Sequence, residues 1–81
     1  MKAHNQFLPG DVVNGMQGFL GSPVVLAVKA DYVLCVMPGN ERPFVTWWVD
    51  ARGQVLSGAY HYELGDAIRS LASRAAARAV A

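Results

Sequence analysis

Apolar residues divide the chain into four strand-like runs followed by a helical stripe. Val24–Val28 and Tyr32–Met37 are dominated by β-branched and aromatic residues, which suit the pleated, half-buried surface of a sheet. Lys29-Ala30-Asp31 between them reads either as a tight hairpin turn or as a bulge in one long strand. Pro38-Gly39-Asn40 and Glu41-Arg42-Pro43 make a loop. Phe44–Val49 and Gln54–Tyr60 then flank Asp50-Ala51-Arg52-Gly53. That spacing predicts an antiparallel hairpin closed by a type I turn with Gly53 at positive φ.

With Asp50 opposite Gln54, unbroken pairing sets Val49 against Val55, Trp48 against Leu56, Trp47 against Ser57, Thr46 against Gly58, Val45 against Ala59 and Phe44 against Tyr60. Side chains alternate along a strand, so Phe44, Trp48, Leu56 and Tyr60 share one face. Val45, Trp47, Val49, Val55, Ser57 and Ala59 share the other. Both faces are apolar, and both need a cover.

Leu64, Ile68, Leu71, Ala72, Ala75 and Ala79 recur at helical spacing in an alanine-rich segment without proline. Glu63 sits at the N-cap and Asp66 in the first turn, while Arg74 and Arg78 lie toward the C-terminus; both placements complement the helix dipole. The stripe is expected on the Val45/Trp47/Val49 face, where Ser57 and Ala59 would admit a close helix. The opposite face would then meet the N-terminal segment, a second copy or a partner. Residues 1–10, ending in Pro9-Gly10, read as a loosely ordered arm. From Asp11, the positions Val12, Val13, Met16, Phe19 and Leu20 have a helical period, but Gly15 and Gly18 lie inside it, so a short helix and an irregular loop stay open over 11–21. The expectation is an α+β fold over a single domain, 1–81: a three- or four-stranded antiparallel sheet with a C-terminal helix on one face.

Length and charge narrow the function classes. The 81 residues are 53% hydrophobic and 16% charged, which excludes a disordered chain. Seven Lys/Arg against six Asp/Glu give a net charge of +1, so no strong field points at nucleic acid or a membrane. The longest apolar region, Pro23 to Pro38, is interrupted by Lys29 and Asp31 and falls short of a membrane span. A single cysteine excludes a disulfide framework and suits a reducing cytoplasm. A domain this small buries little core for its surface, which favours a dimer or an obligate partner.

The residues offer little chemistry. His4 and His61 lack a second ligand at metal-binding spacing, and Cys35 lies in a buried-looking strand without an adjacent base. Gly15, Gly18 and Gly21 lack the Lys-Ser/Thr of a phosphate loop. No catalytic, cofactor-binding or metal-binding residue is assigned, and the protein reads as a non-enzyme. Arg69, Arg74 and Arg78 spread round the last helix as a solvated flank would, so nucleic acid is not favoured. Trp47-Trp48 is the most informative pair, because adjacent strand residues point to opposite faces. One tryptophan belongs to a core. The other, with Phe44, Tyr60, Tyr62 and Arg42, either anchors a partner or forms a second small core under the N-terminal segment.

Phe44-Val45-Thr46-Trp47, Asp50-Ala51-Arg52-Gly53, Ser57-Gly58-Ala59-Tyr60, Leu64-Gly65-Asp66-Ala67-Ile68 and Arg74 together resemble a hairpin–helix module of small phage, plasmid and integrated-element proteins. Ala59 stands where that pattern usually has His. In size and pattern the chain is similar to type I anti-CRISPR proteins. The resemblance implies a non-enzymatic, cytoplasmic inhibitor that blocks a protein surface of a bacterial defence complex, a CRISPR effector first, and so prevents its DNA engagement. On this expectation Arg42, Trp48, Tyr60 and Tyr62 contact the partner, with Arg74 and Arg78 as electrostatic auxiliaries. Two alternatives remain: a homodimeric interaction module and a small DNA-binding regulator of a mobile element.

Overall fold

The computed structural model describes residues 7–13 and 22–80, with side chains as far as Ala77. Four strands, β1 (Val24–Lys29), β2 (Tyr32–Val36), β3 (Phe44–Val49) and β4 (Val55–His61), precede one helix, α1 (Leu64–Val80). The strands form an antiparallel sheet in the order β1-β2-β3-β4. The fold is α+β, and Lys29-Ala30-Asp31 is a hairpin turn. Lys29 pairs with Tyr32 across Ala30-Asp31, where Ala30 takes a φ of 53° that glycine usually supplies in so short a loop. At the β3–β4 turn, Asp50 Oδ1 accepts from the backbone N–H of Arg52 and Gln54, both at 2.9 Å, and Gly53 has a φ of 79°. The side chain thus occupies two donors that the turn leaves without a strand partner.

The register beyond Leu56 departs from unbroken pairing. Val49 faces Val55 and Trp48 faces Leu56, but Thr46 faces Ala59, Val45 faces Tyr60 and Phe44 faces His61. An extra residue is therefore accommodated at Ser57-Gly58, opposite Trp47. Ser57 has a φ of 55°, and a Cβ on Gly58 would come within 2.7 Å of Trp47 Nε1 and 2.9 Å of the Tyr60 hydroxyl. Such a bulge inverts the facing of every later residue. Tyr60 consequently leaves the Phe44/Trp48 face for the Trp47 face, and Ala59 goes the other way.

Each face has its own cover, and the two are exchanged relative to the sequence expectation. Phe7 and Val13 close the face carrying Val25, Val33, Cys35, Val45, Trp47 and Val49. Gly10 N–H donates to Val25 O at 2.7 Å, Val25 N–H to Asp11 O at 2.8 Å and Val13 N–H to Pro23 O at 2.8 Å, which ties the segment along β1. Phe7 is thus part of a core rather than of a loose arm, and Asp11–Val13 runs beside β1 with Val12 bridged to Val24. The helix-or-loop question over 14–21 lies outside the described residues, as do residues 1–6.

Helix α1 covers the other face, against Tyr32, Leu34, Ala27, Phe44 and Trp48. It buries Ala67, Leu71 and Ala75, while Leu64, Ile68 and Ala72 are exposed. The helix is thus turned from the expected stripe by about 50°, half a residue step, so that Leu71 and Ala75 stay inside while Leu64, Ile68 and Ala72 move out. Its alanines allow close approach to the bulky Tyr32, Leu34 and Trp48, and Ala59, brought round by the bulge, makes further room. Polar bonds fix this rotation: Ser70 Oγ lies 3.2 Å from Thr46 Oγ1, and Arg74 reaches the same residue. Ala67 N–H donates to Glu63 O at 3.2 Å, and Asp66 occupies the first turn, as the cap pattern predicts.

Candidate protein-binding surface

The structure sorts the sequence-nominated contact residues into interior and exterior groups. Trp48 is half-buried beneath α1, and its indole N–H donates to Asp31 Oδ2 at 2.6 Å. Tyr60 is half-buried on the opposite face, edge-on to Trp47 with centroids 6.4 Å apart. Both therefore serve the two cores, and the expected Phe44/Trp48/Tyr60 aromatic face does not form. The cause is the bulge.

Arg74 is also turned inward. Its Nη1 donates to Thr46 O at 3.0 Å and Thr46 Oγ1 at 3.1 Å, and its Nη2 to Ser57 O at 2.6 Å. The guanidinium stacks over Tyr32, 4.7 Å from the ring centroid. Arg69 donates to Asp66 one turn earlier on α1. The Arg78 side chain lies outside the described residues.

Tyr62 and Arg42 do come together at the surface. Tyr62 is 55% exposed, and the Arg42 guanidinium lies 5.0 Å from its ring centroid, within the range of a cation–π contact. The Tyr62 hydroxyl is 3.5 Å from Glu41 Oε1. Hydrogen bonding to Tyr62 foremost raises the Arg42 pKa above an already high value, so this cation persists at every working pH. Next along the chain, Leu64 is 41% and Ile68 51% exposed. They are four residues apart on α1 and so share one side of it. Around the β4–α1 corner the chain thus exposes an aromatic ring with a stacked arginine and, on the first turns of α1, two aliphatic side chains.

Leu64 and Ile68 were not legible as surface, because their spacing matches a core stripe. Ser70 and Arg74 lie outside that stripe and read as its polar flank, so the periodicity carried no signal that they face the sheet.

Cys35 is fully buried, and desolvation pushes its thiol up to about 12, which leaves it protonated near neutrality and poorly nucleophilic. Among the described residues no cluster of three or more His, Cys, Asp or Glu could hold a metal ion. No helix of the described residues is long and apolar enough to cross a membrane. No family model matches the chain, and no curated protein or solved structure matches it either.

Proposed function

We propose that the protein is a non-enzymatic, cytoplasmic binding module that inhibits a bacterial defence complex by occupying a protein surface with its β4–α1 corner. The observation that carries the binding reading is the exposed Arg42–Tyr62 stack, with Leu64 and Ile68 exposed on the helix that follows Tyr62 in the chain. Tyr and Arg are the residue types that anchor protein interfaces, and exposed aliphatic neighbours add area that excludes water on contact. Leu64 and Ile68 are held by α1, and Arg42 and Tyr62 stack on each other, which lowers the entropic cost of presenting them. The partner class comes from the sequence resemblance, which nominates a CRISPR effector. The DNA-regulator alternative draws less support, because Arg74 is used inside the fold and Arg69 is paired with Asp66.

The test uses purified CRISPR effector complexes of several types. Each is mixed with the protein, run by size exclusion, and assayed for target-DNA binding. The expected result is stoichiometric co-elution with one type and loss of its DNA engagement, both abolished by Tyr62→Ala with Ile68→Glu in a chain that remains folded. Inhibition unchanged by this pair of substitutions would remove the corner from the account. Failure to bind any effector would remove the partner class.

A further inference from the structure

We infer that Arg74 is a register lock: its guanidinium holds β4 in the bulged pairing and thereby decides which face of the sheet receives Tyr60. The argument begins with the turn. Val49 opposite Val55 and Trp48 opposite Leu56 are pairs common to the bulged register and to unbroken pairing. The Asp50–Gly53 turn therefore serves both, and only residues beyond Leu56 need to move between them.

Local preference does not select the bulge. Ser57 must adopt a φ of 55°, a conformation that L residues other than Asn and Asp rarely take. A bulge also interrupts the ladder, leaving backbone groups without strand partners. Arg74 answers this second cost at the place where it arises. One nitrogen bonds Thr46 O on β3 and the other bonds Ser57 O on β4, so a single planar fork spans the interruption. The Thr46 hydroxyl and the Tyr32 ring hold that fork from β3 and β2.

Unbroken pairing would carry Ser57 opposite Trp47 and Gly58 opposite Thr46, so this bonding geometry would be lost. Tyr60 would then stand opposite Phe44 on the helix side, away from Trp47. The lock also sets how Tyr62 leaves the sheet, a consequence for binding that rests on the proposed contact surface. The lock itself is read in the free protein.

The experiment is solution NMR on the full chain, comparing wild type, Arg74→Met, a Gly58 deletion and the deletion combined with Arg74→Met. Methionine keeps much of the side-chain length without the fork. Deleting Gly58 removes the extra residue, so regular pairing keeps Tyr60 on the Trp47 side without a bulge. In Arg74→Met we expect a second set of β4 resonances beyond Leu56, Tyr60–Phe44 contacts, and amide exchange of Ala59–His61 at least about tenfold faster, with the Val49–Val55 pair retained. In the deletion background, Arg74→Met is expected to leave the β4 resonances single and their exchange within about twofold.

An Arg74→Met protein with one set of β4 resonances and wild-type Trp47–Tyr60 contacts would overturn the lock. So would equal loosening of β4 with and without Gly58, which marks an ordinary tether. If Arg74→Met alone does not fold, a folded double variant supports the lock and an unfolded one overturns it.

Discussion

The sheet is closed on one side by apolar contact and on the other by apolar contact with polar bolts added. Phe7 and Val13 lie over Val25, Val33, Cys35, Val45, Trp47 and Val49, and backbone bonds to Pro23 and Val25 tie the segment at the margin. Under α1, by contrast, Thr46 is fully buried and lies within bonding reach of both Ser70 and Arg74. Hydrophobic burial is non-directional and would accept several helix rotations. Bonds to Thr46 and Ser57 accept one. The apolar side supplies burial, and the bolted side supplies a single orientation and a single register. That choice of orientation leaves Leu64 and Ile68 outside.

The comparison can be broken hardest on the apolar side. Trp47 is 2% exposed and is the largest side chain of that layer, so Trp47→Ala should cost about 3–5 kcal/mol in urea denaturation. The same layer holds a pH-dependent contribution. The Cys35 thiol ionises near its ordinary 9.0 when unfolded but at about 12 when folded, so between these values only the unfolded chain gives up the proton. Stability contributed by keeping this thiol neutral is complete below pH 9 and is lost as pH rises toward 12, with a slope of up to about 1.4 kcal/mol per pH unit. Chemical denaturation of wild type against Cys35→Ala across that window should show the slope only in wild type.

The bolted side should respond with smaller energies. Thr46→Val keeps the volume but removes the hydroxyl shared by Ser70 and Arg74, at a cost of about 1–2 kcal/mol. In a double-mutant cycle, Ser70→Ala should add little on top, because both changes remove the same bond. The smallest effect belongs to Gly65, in the first turn of α1. A Cβ there meets only Arg69 Nη1, at 3.8 Å, so Gly65→Ala should raise stability by about 0.5–1 kcal/mol, read as an upward shift in thermal midpoint.

This division also explains what the sequence could and could not disclose. Alternation and turn chemistry were enough for the β3–β4 hairpin, the Asp50–Gly53 turn and the Glu63 cap, since each depends on neighbours along the chain; they marked Val24–Met37 as strand but left open whether Lys29-Ala30-Asp31 divides it into β1 and β2. The bulge left a mark, a glycine inside β4, but alternation alone places Gly58 as readily in regular pairing. Missing it reversed Ala59 and Tyr60 and led to the wrong face for α1. The helix rotation was hidden for another reason. It depends on Thr46, Ser70, Arg74 and Ser57 meeting across long separations, which no periodicity records. For the contact residues, the two that reside outside regular structure or at its end, Arg42 and Tyr62, remained on the surface. Trp48, Tyr60 and Arg74 were drawn into the interior by interactions between elements.

The most direct measurement is a pair of parallel urea titrations on Trp48→Ala and Tyr62→Ala. If both tryptophans belong to the interior and Tyr62 to the surface, Trp48→Ala loses about 3 kcal/mol or more, because it empties the space under α1 and strips Asp31 of its indole donor. Tyr62→Ala should then stay within about 1 kcal/mol of wild type, the value of an exposed cation–π contact. A stable Trp48→Ala protein beside an unfolded Tyr62→Ala protein would contradict the account, placing the aromatic contact surface over β3 and the structural anchor at the corner.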